Sequence, residues 1–303
     1  RWELNLYYNN TAHQRGGGIY AYSSSATLRS NWIALNSALN TTDSGGGLYV
    51  SEGVPVLANN QVLTNTTPGF GGGVYLYAPA TNSIFQQNTF AANTAAKGGG
   101  LFVYRGRPTL IENRVLRNTA TELTDSGGGI YVNSTASHLI SLLRNVIQEN
   151  HAQGQGGGMY ITGAVQDVFD GNVLFANTAQ SDGGGMFLIN TTAQMLNTVV
   201  ADNISASGRG GGIYLSSSNA PWLHATIVNN SDAYQVGVHV QDRSPFFTNT
   251  IFISHTIGIS VAQGAAATFN ATLWGNLIDA DGPGDFVTYG PSVTGDPDFQ
   301  AVQ

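Results

Sequence analysis

Three consecutive glycines, then an aliphatic and an aromatic residue, recur eight times in this chain. The copies begin at Gly16, Gly45, Gly71, Gly98, Gly127, Gly156, Gly183 and Gly210, at intervals of 26 to 29 residues. A fixed period in this range marks a stacked-repeat architecture, in which each repeat buries its apolar face only against its neighbours. A second motif runs in register with the first: two asparagines five residues apart, with an apolar residue between them. It appears as Asn5/Asn10, Asn31/Asn36, Asn60/Asn65, Asn88/Asn93, Asn113/Asn118, Asn145/Asn150 and Asn172/Asn177. Asn197/Asn203 carries one extra residue and reads as a bulge. Later copies degrade to Ala225/Asn230, Asn249/Ser254 and Ala271/Asn276.

Each period holds three short apolar segments, such as Leu101-Phe102-Val103, Leu110-Ile111 and Val115-Leu116. They are too short for helices and are broken by Gly and Asn, so strands are the better reading. Three short strands per repeat describe an all-β, right-handed parallel β-helix of about eleven turns. With strands ~4.8 Å apart, the rod is on the order of 50 Å long. The sequence divides into a solenoid over residues 1–276 and a capping tail over 277–303. The tail holds Asp279, Asp281, Pro283, Asp285 and the segment Gly295 to Phe299, whose Gly, Pro and Asp residues are expected to stop strand pairing.

The asparagines at Asn10, Asn36, Asn65, Asn93, Asn118, Asn150, Asn177, Asn203 and Asn230 are expected at sharp corners. There Asn tolerates the left-handed backbone, and its amide can bond to the same amide one turn away. That is a structural ladder rather than a binding site. Several Asn-X-Ser/Thr sequons, as at Asn9, Asn40 and Asn133, are what a chain so rich in these residues produces by accident.

Composition narrows the function. Only 10% of the 303 residues are charged, the net charge is −7, and Lys97 is the single lysine. Phosphate binding needs clustered Lys and Arg, so nucleic acid is excluded as a partner, as is a polybasic membrane contact. No apolar run approaches the ~20 residues of a spanning helix. The absence of cysteine excludes a disulfide scaffold, a thiolate zinc site and a Cys nucleophile. The chain starts at Arg1, and Trp2, Leu4 and Leu6 already read as repeat. It is therefore expected to be a processed or truncated piece of a longer precursor, secreted or held at the cell surface.

With these two motifs the chain resembles the right-handed parallel β-helix repeat proteins of bacterial surfaces. The pattern is similar to the passenger repeats of the chlamydial polymorphic outer membrane proteins, which carry Gly-Gly-Ala-Ile and Phe-X-X-Asn. Here the first becomes Gly-Gly-Gly-Ile/Leu/Val/Met. The second is literal at Phe85-Gln-Gln-Asn88 and Phe90-Ala-Ala-Asn93, with an aliphatic in place of Phe at Val62 and Val115. The resemblance spans nearly the whole chain and implies the solenoid fold with a surface role. Gly replaces Ala, and neither cysteine nor a membrane-barrel segment is present, so autotransport is not implied.

Side chains alternate along a strand. In Ile130-Tyr131-Val132 the aliphatics suit the interior, which turns the aromatic outward. The same register aligns Tyr20, Tyr49, Tyr75, Phe102, Tyr131, Tyr160, Phe187 and Tyr214 on one outer face, with Tyr22, Tyr77 and Tyr104 two residues further on. Three roles are open to this stripe. It can stack turn upon turn, it can form an exposed apolar surface for another copy or another surface protein, or it can be a platform for a polysaccharide. Catalysis has less support. Glycoside hydrolysis needs two carboxylates at a set separation, whereas Asp43, Asp125 and Asp182 alternate with Arg15, Lys97, Gln155 and Arg209 as a solvated rim. His138, His151 and Glu149 read as structural or exposed. No catalytic residue, metal site or cofactor is assigned. The expected function is an extracellular structural or adhesive β-solenoid, possible subunit of a surface filament, with Trp2, Leu4 and Leu6 as an end-to-end contact. The alternative is a β-helix that binds or cleaves polysaccharide.

Overall fold

A computed structural model describes residues 1–80, 82–135, 139–163 and 167–295. His138 and Asp296 to Phe299 lie outside the described residues. The short apolar segments are strands, and each pairs in parallel with its counterparts in the adjacent turns. Two sheets have twelve strands and a third has eleven, close to the eleven turns expected. The first sheet runs from Trp2–Glu3 to Asp285–Tyr289, the second from Leu6–Tyr8 to Val293–Thr294, and the third from Ile19–Tyr22 to Ile278–Asp281. A narrow fourth sheet of five two-residue strands, Thr94–Ala95 to Ile204–Ser205, precedes the glycine triplets. Its strands were not legible in the sequence, because two residues such as Thr119–Ala120 carry no periodicity.

Two rows of side chains from the third sheet and one from each of the first two fill the interior. Leu101, Val103, Leu110 and Val115 represent one turn, and all are at most 1% exposed. Toward the C-terminal end the filling changes to Trp222, Phe247, Phe252 and Phe269. At the glycine triplet the backbone runs too close to the next turn to leave room for side chains. Gly98 holds a left-handed φ of 60°. A Cβ on Gly99 would lie 2.5 Å from the carbonyl oxygens of both Gly128 and Thr119. A Cβ on Gly100 would lie 3.0 Å from Asn118 Nδ2. The triplet and the asparagine motif recur together because they pack on each other.

Two expectations about the asparagines change. The left-handed corner belongs to the residue before each ladder position, such as Ala92, Arg117, Glu149 and Ala176, and not to the asparagine itself. Asn197 is one of these corner residues, with φ 48°. Val199 pairs with Val173, so Thr198 takes the ladder position beside Asn172 and no bulge is present. Likewise Asn249, Ser254 and Ala271 are left-handed corners.

Strand pairing also does not stop at Leu277. Ile278–Asp281, Asp285–Tyr289 and Val293–Thr294 continue the three sheets. Gly282, Pro283 and Gly284 fall between strands, where neither a missing N–H nor an unusual φ interrupts a ladder.

Candidate functional site

The aromatic column lies on the outer side of the third sheet, in register from Tyr20 to Tyr214. Successive rings stack with centroids 5.3 Å apart at Tyr20–Tyr49 and 4.7 Å at Phe102–Tyr131. The expectation of an exposed apolar strip is corrected here. Tyr49, Tyr75, Phe102, Tyr131, Tyr160 and Phe187 are 2 to 5% exposed and form a second buried cluster outside the main core. Each ring covers the faces of the next. The polar corner before the triplets covers their edges: the Arg15 guanidinium lies over Tyr49, the Lys97 ammonium lies over Tyr131, and Phe70 stacks on Phe102 at 4.9 Å.

Burial pushes the hydroxyls of Tyr75, Tyr131 and Tyr160 well above the usual phenol range, with nearby carboxylates adding to the effect. Tyr214 is pushed up to about 12 by the same burial. These phenols are neutral donors: Tyr75 Oη donates to Asp43 Oδ1 and Tyr214 Oη to Gln241 Oε1.

The rim charges read from the sequence pair across turns. Arg15 meets Asp43 at 3.6 Å and Lys97 meets Asp125 at 3.1 Å, while Asp182 Oδ1 accepts the Arg209 backbone N–H. Surface pairs of this kind, even partly covered ones, contribute roughly 0–1 kcal/mol. Glu149 reaches Arg117 at 3.9 Å. His151 belongs to the narrow fourth sheet between Thr119 and Thr178. Among the described residues no three His, Cys, Asp or Glu side chains group as a metal site.

What remains accessible is the second aromatic row. In that row Tyr22 is exposed, as is Tyr20 at the end of the first column, while Tyr77 and Tyr104 are half-buried and stack at 5.6 Å. A groove of about 410 Å³ runs beside them, bounded by Phe70, Lys97, Asp43 and Asn133. Its floor is the edge of the buried stack. Such a surface offers aromatic faces, one ammonium and one carboxylate.

Both asparagine columns are ladders of carboxamides. Asn118 is typical: its Nδ2 donates to Phe90 O and Asn150 Oδ1, and its Oδ1 accepts from Asn93 N and Asn93 Nδ2. The column named from the sequence runs from Asn10 through Asn36, Asn65, Asn93, Asn118, Asn150, Asn177 and Asn203 to Asn230. Beyond Asn230 an imidazole continues it. His255 Nε2 lies 3.4 Å from Asn230 Nδ2, and its Nδ1 lies 2.9 Å from Asn276 Oδ1. Burial lowers the His255 pKa, so the ring is neutral and can both accept and donate. Trp2, Leu4 and Leu6 are exposed at the first turn, where Trp2 pairs with Leu28 on one side.

Sequence reasoning missed His239. It takes the next place in the aromatic column, 5.1 Å from Tyr214. The signal was present in the degenerate triplet Val236-Gly237-Val238-His239-Val240, where the residue in the aromatic position is an imidazole.

The architecture defines a class, the parallel β-helix repeat proteins. Within it, residues 4–145 match the family model of the right handed beta helix region, which gives the solenoid its hand. None of the curated proteins compared with the chain matches it. A solved structure, the TibC-catalyzed hyper-glycosylated TibA fragment, is similar over 96% of this chain and 100% of that one, at 14% identity and a TM-score of 0.24. A likeness of that size carries no argument about function.

Proposed function

We propose that the chain is the rigid shaft of an extracellular structural or adhesive protein, with the Tyr77–Tyr104 groove as its contact surface. The observation that carries this reading is the continuity of ties between turns. Strand pairing, carboxamide ladders and ring stacking all run from turn to turn along the same rod. Such a molecule resists bending. The low charge and the abundant Ser, Thr and Asn of the corners fit an extracellular setting, as does the resemblance to bacterial surface repeats. In the filament form of this reading Trp2, Leu4 and Leu6 make the end-to-end contact, a strand edge of an adjacent subunit pairing with theirs.

The test replaces the accessible rings only. Tyr22, Tyr77 and Tyr104 changed together to Ser should leave the circular dichroism spectrum native and abolish adhesion or assembly, scored by cell binding and electron microscopy. Unchanged adhesion and assembly would sink the reading. A second reading, a polysaccharide-binding rod, rests on the same groove, whose aromatic faces match the apolar face of a sugar. Retention on insoluble polysaccharide, lost in the same triple variant and without any protein partner, would favour it.

A further inference from the structure

The aromatic column ends abruptly. Tyr214 is followed in register by His239, then by Ser260, then by Asp281, on successive turns of the same outer face. Rings up to this point repeat about every 5 Å, as at Tyr160–Phe187 (5.0 Å) and Phe187–Tyr214 (4.9 Å). At Ser260 a hydroxymethyl group stands where a ring would fall, and a space of about 350 Å³ opens beside it. That volume is at the lower end of small-molecule sites. His239 has lost its stacking partner on that side, and its plane is tilted 32° from Tyr214.

The walls are built rather than accidental. Asp232 is 7% exposed, and its carboxylate accepts three backbone N–H groups, from Gly210, Tyr234 and Val236. This fixes the loop that projects Tyr234, which is 61% exposed and has the Arg209 guanidinium 5.9 Å above its ring. Gln263 and the exposed Asp281 also line the cleft, with Ile257 and Val261 adding apolar area. One phenol face and one imidazole thus meet a hydroxyl, an amide, a guanidinium and a carboxylate. A ligand that fits has an apolar face to lie on the rings and hydroxyls around its edge. Arg209 and Asp281 oppose each other in charge, and Asp232 is already occupied by the backbone, so nothing calls for a charged ligand.

We propose that this cleft binds one neutral pyranose unit of a glycan, lying in the place of the missing ring against His239, with Tyr234 as an aromatic wall and Ser260, Gln263 and Asp281 bonding its hydroxyls. The site is separate from the Tyr77–Tyr104 groove, so it stands or falls independently of the shaft reading. The experiment is saturation-transfer NMR on the whole chain with methyl glycosides of glucose, galactose, mannose and N-acetylglucosamine. At least one should bind saturably in the millimolar range. Tyr234→Ala and Asp281→Ala should each weaken it tenfold or more, while Tyr77→Ala and Tyr104→Ala leave it unchanged. Ser260→Phe extends the ring column into the cleft and should abolish binding in a protein with native circular dichroism. No saturable binding, or binding indifferent to Tyr234→Ala and Ser260→Phe, overturns the proposal. So does a response confined to methyl glucuronide and lost in Arg209→Ala, which would mean an anion site. Binding of p-cresol with none of the sugars would mean a cleft for an aromatic side chain, and overturns it too.

Discussion

Removing one carboxamide from the middle of the ladder should cost far more than an ordinary polar substitution. Asn118→Ala deletes four hydrogen bonds: two donated by Nδ2 to Phe90 O and Asn150 Oδ1, and two accepted by Oδ1 from Asn93 N and Nδ2. Asn118, Asn93 and Asn150 are at most 1% exposed, so water does not replace the lost partners. A buried polar group left without a partner costs about 1–3 kcal/mol. The Asn93 N–H loses its only partner in this arrangement, and Asn93 Nδ2 keeps Val62 O. One fully orphaned donor and three weakened groups give a loss of roughly 3–5 kcal/mol, at the upper end for a single substitution. Asn10→Ala is the control, because Asn10 is exposed and the change deletes only its own bond to Asn36 Oδ1. That loss should be about 1 kcal/mol or less. Solenoids unfold by neighbouring units, so native-state hydrogen exchange at the Asn93 amide is the sharpest assay, supported by urea unfolding. Equal protection of that amide in wild type and Asn118→Ala would refute the reasoning. So would destabilisation no larger than that of Asn10→Ala.

Gly128→Val places a Cβ about 2.5 Å from His151 O and also against Gly157 O. The turns would have to separate, and the melting temperature should fall well beyond the scatter of surface variants; a value within error of wild type would count against the close approach. Changing Tyr75, Phe102 and Tyr131 together to Ser empties the centre of a buried stack, where a single large aromatic is worth about 3–5 kcal/mol. The protein should lose its folded middle rather than only its contacts, and native circular dichroism with an unchanged melting curve would show the stack to be dispensable. Asp167 is buried, and desolvation raises its pKa from 3.8 to about 6 even though its Oδ1 accepts the Ile140 N–H. The folded state therefore holds a proton that the unfolded state releases first, so this group's contribution to stability falls as pH rises from about 4 to about 6. The shift corresponds to about 3 kcal/mol. Asp167→Asn should remove that pH dependence from urea midpoints measured between pH 4 and 7, and parallel curves for the two proteins would contradict it.

The repeat alone determines the fold, because triplet spacing and alternation are local properties of a chain. Glycines at 26 to 29 residue intervals, beside short apolar segments, leave little except a stack of parallel-strand coils of constant circumference. The outward direction of Tyr131 between Ile130 and Val132 followed from the same alternation. Its burial did not. Whether an outward ring meets water depends on what the corner thirty residues away does. Here Phe70, Lys97 and Asp125 come from other turns to cover the stripe. The asparagine ladder was likewise readable as a ladder, but the left-handed residue turned out to be its predecessor. Backbone φ at a corner is set by which carbonyl must reach the next turn, and composition does not report that. The sheets' continuation past Leu277 was hidden because Gly282 and Pro283 are strand breakers in isolation, and only the register shows that they fall between strands. The cleft below His239 was the least legible feature of all. It exists because Ser260 comes to lie one turn after an imidazole in the aromatic column. Its wall is Tyr234, held by a carboxylate that captures three amides. Sequence determines what repeats along this molecule; a site made where the repeat fails depends on neighbours that only tertiary packing brings together.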